Sequence, residues 1–503
     1  MSATLRELLA RGRDGHAAIA APGAEALPFA GLRALMAETG ATLNAGGIGR
    51  GARVAIVLGA GPELAAAFLG VAAAASAAPL NPAYRAEEFE FYLSDLKARA
   101  LVVEAESESP AIAVARKLGV PVIRLYPARE KGAGCFTLDI SELRGARTAD
   151  AVGPGDEALV LHTSGTTSRP KLVPLTHANI AASARNIAAT LALSDKDRGL
   201  AIMPLFHIHG LMAGLVAPLA AGGSVFCAPG FNALKFFAWL EEAKPSWYTA
   251  VPTMHQAVLA RAAANRAIIA ANPLRFIRSS SAALAPTVLA ALEETFAAPV
   301  IEAYGMTEAC HQMSSNPLPP GTRKAGTVGV ASGPEIAIMD REGNLLGAGE
   351  TGEIVIRGDN VTSGYGDNAK ANAEALTHGW FRTGDQGVMA EDGYLTITGR
   401  LKEIINRGGE KISPREVDEV LMDHPAVEQA VAFAIPHDML GEDVGAAVVL
   451  RDGKSLNEHD LRAFVSARLA DFKVPRRIVF LADIPKGPTG KLQRIGLAQK
   501  LGL

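Results

Sequence analysis

Cysteine, tryptophan and net charge are all scarce in this chain. Its 503 residues include three cysteines, Cys135, Cys227 and Cys310, too few and too scattered for a disulfide framework or a thiolate metal cluster. Such usage suits a reducing compartment, and the cytoplasm is the expected location. Lys and Arg total 49 against 52 Asp and Glu, a formal net charge of −3, so the balance gives no case for nucleic acid or an anionic membrane as partner. The most apolar run, LAAAFLGVAAAASAAPL at 64–80, falls short of a bilayer span and is mostly alanine. It is expected to be a buried helix, with no membrane insertion. MSATLRELLARGRDG at the start has no signal-peptide core, and QKLGL at the end matches no simple address tag. What remains is an ordinary globular composition, 49% hydrophobic and 20% charged, with length for about three domain-sized units.

The chain alternates short apolar strands with helices. ARVAIVLGAGPELAAAFLGV (52–71) reads as strand, Gly turn and helix, and RALVVEA and VPVIRLY read as further buried strands. Gly59 and Gly61 suggest a dinucleotide fingerprint, but Leu64 stands where its third Gly belongs, which favours a structural turn. After GYLTITGR (393–400) the pattern changes. Ser413-Pro-Arg-Glu416 and Ser455-Leu-Asn-Glu458 fit capping boxes, and VEQAVAFAIP, GAAVVL and RRIVFLAD read as strands. The expectation is an α/β N-terminal domain of several subdomains over 1–400 and a small α+β domain over 401–503, joined by a hinge.

One stretch is dense in hydroxyls: LHTSGTTSRPKLVPLTH, 161–177. Hydroxyls, Gly-exposed backbone N–H groups and a lysine supply many donors and few acceptors, the chemistry of a phosphate cradle. It is not a Walker A loop, because Pro170 and Leu172 stand where that spacing wants Gly and Ser or Thr. Three later stretches give it context: EAYGMTEAC (302–310), GWFRTGDQG (379–387) with GRLKEIINRGGEKISP (399–414), and PKGPTGKLQR (485–494).

In this order and spacing the four stretches resemble the adenylate-forming superfamily of acyl-CoA synthetases, luciferases and peptide-synthetase adenylation domains, over about the whole chain. The resemblance implies attack of a carboxylate on the α-phosphorus of ATP, giving an acyl-adenylate and pyrophosphate, then capture of the acyl group by a thiol. It implies that Thr163, Ser164, Gly165, Thr166, Thr167 and Lys171 grip the β- and γ-phosphates, although Ser168 and Leu172 replace glycines frequent in the family. By the same carry-over Glu308 is the Mg²⁺ ligand, Thr307 contacts the α-phosphate, Tyr304 walls the adenine, and Asp385 and Arg400 meet the ribose. Lys491 bridges carboxylate and α-phosphate, Lys402 is the hinge, and Gly408, Gly409 and Lys411 belong to the segment that rotates in for the thiol step. The chain ends 12 residues after Lys491, so free CoA is the expected acceptor, with a separate carrier protein as the alternative.

The acid is read from MPLFHIHG, RFIRSSSAALAP and TEACHQMSSNPLPP, which supply His207, His209, Arg278, three serines and His311. Burying these groups unpaired would cost roughly 1–3 kcal/mol each, so they suit a polar acid better than a fatty-acid tunnel. The segments resemble the oxalyl-CoA synthetase branch, which implies that Ser281 and His311 hold a second carboxylate. Malonate, coumarate or a fatty acid remain alternatives, as does a non-catalytic nucleotide-binding protein of the same fold. His311 as a core histidine satisfied by backbone, His207 as part of the aromatic wall or of domain movement, and a structural Arg278 are the competing readings of those residues. Lys491→Ala is expected to abolish adenylate formation while leaving ATP binding intact; normal adenylate formation in a burst assay would remove Lys491 from the mechanism.

Overall fold

The computed structural model describes residues 3–147, 151–163, 170–486 and 492–503. Ser164, Gly165, Thr166, Thr167 and Ser168 of the hydroxyl-rich stretch, and Lys491, lie outside the described residues.

Two large sheets carry the N-terminal part. In the seven-stranded sheet the strands Val122–Pro127, Ala100–Glu104, Arg53–Val57, Ser76–Pro79 and Glu157–His162 run parallel, with antiparallel edges at Phe136–Asp139 and Leu172–Thr176. The nine-stranded sheet has a parallel interior that includes Trp247–Ala250, Phe276–Ser280 and Val300–Met306, continued by antiparallel His311–Ser315. Strands buried on both faces need unbroken apolar or small residues, and Val54, Ala55, Ile56 and Val57 supply them.

The helix Pro62–Ala72 touches strands of both sheets, and all of its residues are buried. A helix apolar all round has that position as its stable solution. The apolar run 64–80 therefore does not form one helix: it divides into this helix and the strand Ser76–Pro79, which pairs in parallel with Arg53–Val57. Alanine-rich periodicity cannot distinguish the two, and sheet pairing decides. Gly61 ends the strand-to-helix turn at φ 150°, where a side chain would be strained. No helix among the described residues is long and apolar enough to cross a membrane. All three cysteines are free and buried.

Beyond residue 400 a separate five-stranded sheet forms. The hairpin Ile405–Arg407 and Glu410–Ile412 precedes helix Pro414–Met422, strands Val427–His437 and Gly441–Leu450, helix Glu458–Ser466 and strand Arg477–Phe480. Neither expected capping box forms. The Ser413 hydroxyl donates to the carbonyl of Thr398 instead, tying the helix to the strand Leu395–Arg400, and Glu416 pairs with Lys473 at 2.7 Å. The later helix is capped by Asn457, whose side chain accepts from the Asp460 N–H at 2.9 Å. Asn caps as well as Ser and stands two residues closer to the apolar face.

Glu302, on Val300–Met306, is a buried carboxyl with no ion pair among the described residues. Its Oε1 accepts from the Leu284 N–H at 3.1 Å, and Oε2 has no partner among the described residues. Burial raises its pKa from 4.5 to about 7, opposed by that hydrogen bond and by Arg415. The folded chain thus holds this proton more tightly than the unfolded one, a contribution fully present below about pH 4.5 and lost as pH rises through about 7. Glu302→Gln should flatten the fall of the thermal midpoint between about pH 5 and 8; parallel curves for variant and parent would refute the assignment.

Candidate active site

The site is organised by the turn between Val300–Met306 and His311–Ser315. A register shift at Tyr304 and Gly305 opens it, and the single turn Thr307–Ala309 closes it. Bulges of this kind re-aim side chains next to active sites. A Cβ on Gly305 would sit 1.8 Å from the His311 carbonyl oxygen, so only glycine permits the crossing. The backbone is strained nearby: Cys310 at φ 49°, His311 at 91° and Ser281 at 75° all occupy the left-handed region without being glycine. Each such residue costs about 1–3 kcal/mol and persists where surrounding structure enforces it.

Before the turn, the Tyr304 hydroxyl donates to Asp385 Oδ2 at 2.5 Å. Arg400 Nε donates to Asp385 Oδ1 at 2.9 Å, and the two residues face each other in the antiparallel register of Trp380–Met389 and Leu395–Arg400. Burial, then the Asp385 charge, pushes the Tyr304 hydroxyl well up, so it stays a donor; Asp385 likewise raises Arg400. Within the turn, Glu308 accepts from the Tyr365 hydroxyl at 2.8 Å. Burial raises the Glu308 pKa, opposed by that bond and by the charges of Arg400 and Lys171. Lys171 Nζ lies 4.3 Å from the centre of the Tyr365 ring, and Lys171 and Thr163 exchange backbone and hydroxyl hydrogen bonds at 2.9 and 3.1 Å. Thr163 and Lys171 are thereby joined near Glu308. Thr307 begins the turn, its carbonyl accepting from the Cys310 N–H at 3.0 Å.

After the turn lies a second polar group. The His311 and His209 rings stack 4.7 Å apart at 15°. His209 Nδ1 meets Ser281 Oγ at 3.0 Å and its Nε2 meets Thr249 Oγ1 at 2.6 Å. Arg278 donates to His311 Nε2 at 3.1 Å and to Gln312 Oε1 at 3.2 Å. His209 caps the π-helical turn Gly210–Val216, a rare geometry found mostly at functional sites. His207 is only half-buried, its Nδ1 accepting from the His209 N–H at 3.4 Å.

The remaining candidates are in the C-terminal part. Lys402 is exposed, while its neighbour Glu403 accepts from Arg494 at 3.1 Å, anchoring the chain just past Lys491. Gly408 and Gly409 turn the hairpin at φ 57° and 100°, and Lys411 is exposed on its second strand. That hairpin's polar partners are in its own sheet, with Arg407 on Asp443 at 2.8 Å. None of Lys402, Gly408, Gly409 and Lys411 shares a hydrogen bond with Tyr304, Glu308, Asp385 or Arg400 among the described residues.

The AMP-binding enzyme family model matches residues 7–366, and the AMP-binding enzyme C-terminal domain model matches 416–491. The chain belongs to the AMP-binding enzyme family. It is 47% identical over 461 residues to an oxalate–CoA ligase of Arabidopsis thaliana, covering 90% of this chain and 89% of the relative. It is 42% identical over 482 residues to an oxalate–CoA ligase of Saccharomyces cerevisiae, covering 90% and 88%. The crystal structure of ATP-bound MatB from Rhodopseudomonas palustris superposes with a TM-score of 0.90 at 28% identity, covering 99% of both chains. This AMP-binding enzyme thus has its two polar groups on either side of one turn. Gly305→Ala should displace His311 and lower acid-dependent turnover about 100-fold, the effect of an ångström-scale misplacement; unchanged steady-state kinetics would show that the close approach is not required.

Proposed function

We propose that this chain is an AMP-forming acid–CoA ligase that converts oxalate, ATP and CoA to oxalyl-CoA, AMP and diphosphate. The observation that supports it best is the array of buried His209, Arg278 and His311 with half-buried Ser281, His311 standing just beyond Glu308 in the chain. A fatty acid or acetate brings no second anion to the Arg278 guanidinium, whereas oxalate carries a second carboxylate one bond from the reacting one. The kinship with oxalate–CoA ligases of a plant and a yeast points the same way.

In this reading Asp385 accepts from the ribose hydroxyls, Arg400 holds Asp385, and Tyr304 lies against adenine. Thr163, Ser164, Gly165, Thr166, Thr167 and Lys171 take the β- and γ-phosphates, and Thr307 the α-phosphate. No nucleophilic side chain is needed, since the substrate carboxylate is the nucleophile and the protein's work is alignment of two anions and stabilisation of charge. Glu308 fits a hard cation: one buried carboxylate, its pKa raised by burial, beside phosphate oxygens is a donor set that suits Mg²⁺. Bound there, Mg²⁺ would neutralise phosphate charge. Lys491 brings a point charge to the carboxylate and α-phosphate. Residues 401–503 form the moving domain: turning at Lys402, it withdraws Lys491 and brings Gly408, Gly409 and Lys411 to the CoA thiol.

The test is CoA- and ATP-dependent AMP formation with oxalate, malonate, acetate, coumarate and octanoate at equal concentration. Oxalate should be preferred, and His311→Ala should raise the KM for oxalate far more than that for ATP. Preference for octanoate or coumarate would overturn the oxalate assignment, and no turnover with any acid would overturn the ligase.

A further inference from the structure

Arg278 stands in the middle of the nine-stranded sheet, on Phe276–Ser280, and is fully buried. A buried guanidinium ordinarily has a carboxylate beside it, because taking the charge out of water costs several kcal/mol. Among the described residues Arg278 has none. Its Nη1 donates to His311 Nε2 at 3.1 Å and approaches His209 Nε2 at 3.4 Å and Thr249 Oγ1 at 3.5 Å. Its Nη2 donates to Gln312 Oε1, and its Nε has no partner. All four partners accept as neutral groups, so the guanidinium has no counter-ion among the described residues. Burial alone lowers the Arg278 pKa, to about 9.

The direction of donation follows from the chemistry of the groups. A guanidinium can only donate, so the imidazole nitrogen facing it must offer a lone pair. Nε2 of His311 is therefore unprotonated, and a neutral ring then carries its proton on Nδ1. The same holds for His209, whose Nε2 faces both Nη1 and the Thr249 hydroxyl. The His209 Nδ1–H donates to Ser281 Oγ, which leaves the serine's own proton to be given to another acceptor.

We propose that Arg278 is the positioning residue of the acid pocket: it fixes His209 and His311 as neutral Nδ1–H donors and supplies the charge that selects a dianionic acid over a monoanionic one. This rests on the ligase reading above. A dianion brings its second negative charge toward the buried Arg278, where Coulomb attraction is weakly screened. A monoanion leaves that charge uncompensated once its carboxylate is at the reacting centre.

The experiment compares kcat and KM for oxalate and for acetate in the full-length enzyme and in Arg278→Met, with ATP and Mg²⁺ saturating. The unaltered enzyme is measured first: if it does not prefer oxalate to acetate, the oxalate reading fails and the inference fails with it. Given that preference, Arg278→Met should reduce the oxalate-to-acetate ratio of kcat/KM at least about tenfold, through the KM for oxalate, with the KM for ATP unchanged. An equal loss with both acids, or a retained ratio, would make Arg278 merely structural and leave the oxalate reading standing. Should the variant fail to fold, nitrogen NMR of the unaltered, isotopically labelled enzyme decides: His209 and His311 are expected to be neutral with Nδ1 protonated, and an Nε2–H tautomer or an imidazolium at either residue would overturn the proposal.

Discussion

The crossing of Gly305 by the His311 carbonyl is the constraint on which the site depends. It lets the chain leave one strand and enter the next within a single turn, so that Tyr304, Glu308 and His311 serve three different partners within eight residues of sequence. Tyr304 reaches Asp385, Glu308 reaches Tyr365, and His311 reaches Arg278. The two polar groups therefore share one support, and displacement of one carries over to the other. Positioning of this quality is what a reaction between two anions requires, since no covalent help comes from the protein.

Stability is given up around this turn in several places. Ser281, Cys310 and His311 hold left-handed backbone without being glycine, and among the described residues Glu302 Oε2 and Arg278 Nε have no hydrogen-bond partner. The surrounding sheets supply the compensation. Phe276, Ile277, Val300 and Ile301 are buried on strands flanking these residues, and the helix Pro62–Ala72 packs both large sheets together. Local rules fail where function concentrates, and the parallel-sheet core absorbs the cost.

Much of this architecture was readable from sequence because it is local. Strands such as Arg53–Val57 and Val122–Pro127 announce themselves by apolar runs between Gly and Pro, and the helix, strand, strand, helix, strand order of the C-terminal part follows from patterning alone. What escaped is set by distant contacts. The 64–80 run split because Ser76–Pro79 found a partner strand, and Ser413 abandoned its cap for the Thr398 carbonyl. Tyr365 lies 57 residues from Glu308 and has no motif to mark it. Thr249 and Gln312, which meet His209 and Arg278, carry no such mark either. Arg278 was visible, but its lack of a carboxylate is a property of the fold and of no single segment.

The most direct measurement uses oxalate labelled with heavy oxygen in both carboxylates, turned over with ATP and CoA. Attack of the carboxylate on the α-phosphorus, followed by thiol capture, predicts that each AMP released carries one labelled oxygen. Unlabelled AMP, or ADP in its place, would contradict the account at its centre.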